Sequence, residues 1–159
     1  MAIWQVPIVF IPAQWAQDNQ FKPDSLYDED GFETKIVWSQ DAEIEGFKNC
    51  FNSILPVAES WNEEIDIWGN TQTNDLTIIR EGNQIECIMC RLDLRDDVFS
   101  LISSIINTAL KFNCVLFIPS QRVIIEPNLF VLKKHLTQSN AAKFIKDPEA
   151  FLNSLPSEQ

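Results

Sequence analysis

Residues 76–80 and 84–94 are two strand-like stretches separated by Gly82-Asn83, a pair suited to a tight positive-φ turn, so the middle of the chain is committed to a β-hairpin. That commitment limits everything around it. Along the second stretch Ile88, Cys90, Leu92 and Leu94 share one face, opposite Ile85, Cys87, Met89, Arg91 and Asp93. The first face reads as core, while the second starts apolar and ends charged, so a helix is expected over its first half only. A second hairpin is expected for residues 114–118 and 122–126, around Pro119-Ser120-Gln121. Between the hairpins lies the clearest helical pattern in the chain. Asp96 or Asp97 reads as its cap, and Val98, Leu101, Ile102, Ile105, Ala109 and Phe112 follow at i, i+3, i+4 spacing, with Ile106 and Leu110 widening the stripe.

The flanks extend the same alternation. Residues 6–12, VPIVFIP, form an apolar run bracketed by prolines, which predicts an edge strand. An acidic, irregular stretch follows, with a turn at Asp28-Glu29-Asp30-Gly31, and residues 32–38 alternate loosely as a strand. Asp41 is the expected N-cap of a helix carrying Ile44, Phe47, Phe51 and Leu55, with Glu43 and Glu45 in its first turn and Pro56 at its end. Residues 64–68 predict a strand with Glu64, Asp66 and Trp68 on one face and Ile65 and Ile67 on the other, closed by Gly69. Asn128 should cap a helix bearing Leu129, Leu132 and Leu136, and Ser139 and Asp147-Pro148 begin two short helices. Hairpins separated by helices imply one α+β domain over residues 1–159, its mixed or antiparallel sheet covered by helices.

A chain of 159 residues with 45% hydrophobic content can bury a core of ordinary size. It reads as a soluble protein of a reducing cytosol. No basic residue precedes Lys22, no signal-like segment opens the sequence, and no apolar run approaches the ~20 residues of a membrane span. The cysteines, Cys50, Cys87, Cys90 and Cys114, lie in apolar segments, where thiols behave as small hydrophobes.

The motifs of catalysis are thin. There is no phosphate-binding loop, dinucleotide fingerprint, nucleophile elbow or zinc-protease helix. Cys87 and Cys90 have the spacing of half a zinc site, but on a strand residues three apart point to opposite faces and no second pair completes four ligands. His135, the only histidine, sits beside Lys133 and Lys134 near a predicted helix end, a favourable place for cations. The run of residues 91–97 offers Asp93, Asp96 and Asp97 near a strand end. These are the carboxylates a metal-dependent hydrolase or nuclease would use, although Asp96 and Asp97 double as helix caps and Arg91 can pair with Asp93. Neither a cofactor nor a resident metal is expected.

Charge is more informative than any motif. Residues 1–75 hold 14 Asp and Glu against three lysines, whereas residues 76–159 hold nine acids and nine bases, so the first half carries the whole net charge of −11. Such a field disfavours nucleic acid and anionic membranes and speeds encounter with a basic protein surface. Two segments set aromatic rings beside the acids: Tyr27, Asp28, Glu29 and Asp30 in the first, and Trp61, Glu63, Glu64, Asp66 and Trp68 in the second. Aromatic anchors with charged neighbours are usual hot-spot chemistry, and these nine residues are the expected partner-binding set.

The segments LYDEDGF (26–32), SWNEEIDIWGN (60–70), IECIMCRLDLR (85–95) and SNAAKFIKDPEAFL (139–152) resemble small acidic immunity-type proteins encoded beside bacterial polymorphic toxins. The resemblance implies a cytoplasmic protein that binds and neutralises a cognate toxin domain, often a nuclease, without catalysis of its own. A scaffold or adaptor using an uncovered sheet face is the remaining non-catalytic possibility.

Overall fold

The hairpin at Gly82-Asn83 is the centre from which the sheet is built. The structure is a computed structural model that describes residues 1–39 and 42–156. Strands β6 (Asp75–Glu81) and β7 (Gln84–Asp93) pair antiparallel across the turn, and only Gly82 of the two turn residues has positive φ, the pattern of a type II′ turn. A shift in register between Ile79 and Arg80 leaves Glu86 unpaired as a bulge. The bulge moves Ile85 onto the face of Ile88, Cys90 and Leu92, and all four are fully buried. Simple alternation had set Ile85 on the other side.

The seven-stranded sheet runs β4-β5-β6-β7-β1-β8-β9, with every pair antiparallel. Its remaining members are β1 (Gln5–Pro12), β4 (Val57–Ala58), β5 (Ile65–Gly69), β8 (Cys114–Ile118) and β9 (Val123–Ile125). β1 is therefore an interior strand, not the expected edge. Its Gln5 to Val9 half pairs with β7 and its Val9 to Pro12 half with β8, so Pro7 and Pro12 each lie where one flank only is bonded. A missing N–H is tolerated there.

Helices α2 (Ile44–Asn52) and α3 (Phe99–Lys111) cover one face. Phe47 and Phe51 of α2 meet Phe10 of β1, Phe51 meets Trp68 of β5 edge-on, and Phe47 stacks on Phe112 at the end of α3. The expected cap Asp41 lies outside the described residues. On α3, Ile102, Ile105, Ile106 and Ala109 are buried as the spacing predicts, but Leu110 is exposed. Its N-cap is Val98, and Asp97 contributes by accepting from the Phe99 N–H at 3.1 Å.

Residues 32–38 are not a strand. Only β2 (Tyr27–Asp28) and β3 (Gly31–Phe32) pair there, as a separate two-stranded hairpin, and a 3₁₀ turn at Lys35–Val37 follows. The reason lies in β7, whose first residues lose β1 as a neighbour where β1 turns to β8. Thr34 Oγ1 donates to the Glu86 carbonyl and Gln84 Nε2 to the Trp38 carbonyl, so side chains replace a ladder. A short helix α1 (Ala13–Asp18), unforeseen in the acidic stretch, links β1 to this region.

The C-terminal helices α4 (Leu129–Thr137), α5 (Asn140–Lys146) and α6 (Pro148–Ser154) start where their caps predict. Asn128, Ser139 and Asp147 accept from the N–H groups of Val131, Ala142 and Ala150. Among the described residues no helix is long and apolar enough to cross a membrane.

Candidate interaction surfaces

The two aromatic-acidic segments fall at opposite ends of the sheet. Tyr27 and Phe32 of the small hairpin pack on Phe117 of β8, while residues 60–68 lead into β5 beside the edge strand β4. Four strand spacings separate β8 from β5, about 19 Å at ~4.8 Å per strand. The nine expected partner-binding residues thus form two corners.

In the first corner the ring is structural. Tyr27 is half-buried, meets Phe32 and Phe117 edge-on, and donates its hydroxyl to the Pro119 carbonyl at 2.8 Å. Arg122, in left-handed conformation with φ 52°, sets its guanidinium 3.6 Å from the Tyr27 ring centre. Burial raises the Tyr27 phenol above its ordinary value, against the opposing pull of Arg122. Asp28, Glu29 and Asp30 project from the turn into solvent, where Asp28 Oδ1 accepts from the Asp30 N–H.

In the second corner two tryptophans seven residues apart have opposite fates. Trp68 is 2% exposed and its indole N–H donates to Asn52 Oδ1 at 2.8 Å, so it is a core residue and not a surface anchor. Trp61 is 77% exposed, with Val57, Glu59, Glu63 and Glu64 also open to solvent. Beside Trp61 lies a cavity of about 430 Å³ whose lining includes Val57, Trp61, Glu63 and Asp66. Asp66 is already occupied, 3.3 Å from Arg80 and 3.9 Å from Lys48. The free charge here comes from the glutamates.

Across residues 1–75 the pattern repeats. Asp18, Asp24, Asp28, Glu29, Asp30, Glu33, Glu43, Glu59, Glu63 and Glu64 are exposed and form no ion pair among the described residues. The acidic half therefore presents its charge outward.

The alternative carboxylate set is differently engaged. Asp93 is buried and takes Arg95 in a two-pronged contact, with Nε 2.9 Å from Oδ1 and Nη2 2.7 Å from Oδ2. These bonds hold its carboxyl below the ordinary range. Asp96 accepts from Asn74 Nδ2 at 3.2 Å, and Asp97 accepts from the Phe99 N–H at the start of α3. Arg91 does not pair with Asp93: it reaches across the ladder to the fully buried Asp75. Burial holds the Asp75 carboxyl above its usual range despite that partner. Among the described residues no three His, Cys, Asp or Glu side chains converge as a metal site.

The thiols follow the strand geometry. Cys90 is fully buried in the core and Cys87 lies on the opposite face, where burial pushes its thiol up to about 11. Burial likewise pushes Cys114 up to about 12. His135 Nδ1 lies 2.7 Å from Gln121 Oε1 while Gln121 Nε2 donates to the His135 carbonyl, which ties α4 to the β8–β9 turn.

No family model, curated protein or solved structure matches the chain. What the molecule offers is its own surface: two acidic corners, one of which carries an exposed tryptophan over a cavity.

Proposed function

We propose that this chain is a non-catalytic immunity-type protein that binds and neutralises a cognate bacterial toxin domain by covering a basic surface of it. The observation that carries the reading is the exposed, unpaired acidity of residues 1–75, of which Glu59, Glu63 and Glu64 flank an open tryptophan at Trp61. An outward acidic field accelerates encounter with a basic partner, and a large aromatic ring desolvated on contact supplies the affinity that rim charges do not. In this arrangement Trp61, Glu63 and Glu64 form the anchoring corner. Asp28, Glu29 and Asp30 steer from the far end of the sheet. The resemblance to acidic immunity proteins supports the same assignment, and a nuclease toxin fits because such enzymes carry basic substrate grooves.

The test is genetic and biochemical. The protein encoded by the neighbouring gene, co-expressed with this chain, should co-purify with it at one-to-one stoichiometry and lose its toxicity. A neighbour that is equally toxic with and without the chain, and that does not co-purify, would remove the proposal.

A further inference from the structure

A second open surface lies where α3, α4 and α5 meet without closing. Val98, at the α3 cap, and Ile102 supply one wall, Leu136 and Ile145 the other, and Leu94 lies at the β7 end of a groove of about 370 Å³. Lys133 and Lys146 stand on its rim, and neither forms an ion pair among the described residues. Asp96 and Asp97 near its α3 end accept from Asn74 and from the Phe99 N–H, and Asp147 next to Lys146 accepts from the Ala150 N–H; none of these carboxylates lines the groove, whose charged lining is Lys133 and Lys146 alone.

The surface continues beyond the groove. Phe130, Lys133 and Thr137 recur at i, i+3 and i+7 along α4, and Phe130 is 80% exposed. On α3, Phe99 is 53% exposed, with Lys133 Nζ 5.5 Å from its ring centre. From Phe130 to Thr137 the stripe runs about 10 Å at ~1.5 Å per residue. It is a strip of apolar floor with cations at its border.

We infer that this strip is the seat of an acidic amphipathic helix from another protein chain. The complementarity is twofold: apolar residues at i, i+3, i+4 and i+7 of such a helix fill the groove, and carboxylates flanking them meet Lys133 and Lys146. The groove is open to solvent, whereas small-molecule sites bury most of their ligand, so a helix face suits it better than a fatty acid. A basic segment is repelled by the rim lysines. The surface is independent of the toxin reading, because it uses none of the acidic corners and its charge is of opposite sign.

The experiment uses the full chain and a fluorescein-labelled synthetic helical peptide with leucines at i, i+3, i+4 and i+7 and glutamates beside them. Two control peptides carry lysines in place of the glutamates, or the acidic composition in scrambled order. Saturable anisotropy change with the ordered acidic peptide alone is expected, weakened roughly tenfold or more in Lys133→Glu/Lys146→Glu, a rim change that leaves the core intact. A second variant, Ile145→Gln, should weaken binding without reversing charge. No saturable binding, equal binding of the scrambled or lysine peptides, or binding insensitive to both variants would overturn the inference. Circular dichroism melting of each variant confirms that a loss of binding is not a loss of fold.

Discussion

The two acidic corners are nearly alike in sequence and unlike in structure. In each, a ring neighbours a cluster of carboxylates, yet Tyr27 is clamped between Phe117, Phe32 and Arg122 while Trp61 stands free. The difference comes from what lies beneath. The small hairpin sits on a broad sheet face at β8, which offers Phe117 as a packing partner and Pro119 as a hydrogen-bond acceptor. Residues 59–64 emerge past the two-residue strand β4 at the sheet edge, where little apolar surface remains to cover an indole. An aromatic ring beside acids is thus left open to solvent only where the fold has no other use for it.

Substitutions can break that comparison directly. The largest effect belongs to the tryptophan that is not an anchor: Trp68→Ala should cost about 3–5 kcal/mol of stability, read by denaturant unfolding, because it empties a core site. A loss below 1 kcal/mol would show that Trp68 is not the core residue described. Tyr27→Ala should cost about 2–3 kcal/mol, since the ring is half-buried and its hydroxyl is bonded. By contrast Trp61→Ala should move stability by less than about 0.5 kcal/mol. If Trp61 and Tyr27 prove equally important to the fold, the two corners are not different in kind.

Much of this fold is legible in the sequence because its signals are local. Gly82 supplies the one positive φ the hairpin needs, and Asn128, Ser139 and Asp147 cap helices within three residues of themselves. The position of β1 is not local. Its two prolines argue for an edge, and only the staggered pairing with β7 and β8 shows how an interior strand accommodates them. Residues 32–38 alternate like a strand, but Thr34 and Gln84 satisfy the neighbouring carbonyls by side chain, a choice that depends on where β1 leaves β7. Trp61 and Trp68 both have acids within four residues, and their place relative to the sheet edge is what separates them. The Glu86 bulge is similarly silent, and it alone decides which face Ile85 joins.

Acidity divides the molecule a second way, between carboxylates left free and carboxylates spent on the fold. Asp93 belongs to the second group, and its lowered folded value fixes the sign of its pH dependence. A carboxyl depressed below its unfolded value of ~3.9 stabilises fully above that value and loses its contribution as pH falls through the folded value. Asp93→Asn should therefore be less stable than the parent by about 1–3 kcal/mol at pH 7, and the gap should narrow on acidification below about pH 4. A gap that widens in acid would contradict the Arg95 contact as its cause. The smallest effects are expected from the free acids of the first corner. Asp28→Asn/Asp30→Asn should leave stability within about 0.5 kcal/mol and slow association with a basic partner only at low salt.

The most direct measurement is the association and dissociation kinetics of this chain with the protein encoded by the neighbouring gene, the partner that the proposed function requires, taken across ionic strength for the parent, Glu63→Gln/Glu64→Gln and Trp61→Ala. The outward acidic field predicts an association rate that falls steeply with salt and falls further in the glutamine variant, while Trp61→Ala mainly speeds dissociation and weakens binding by about 2 kcal/mol, roughly 30-fold. An association rate indifferent to salt, together with a Trp61→Ala complex as long-lived as the parent, would contradict an interface at the acidic edge of the sheet.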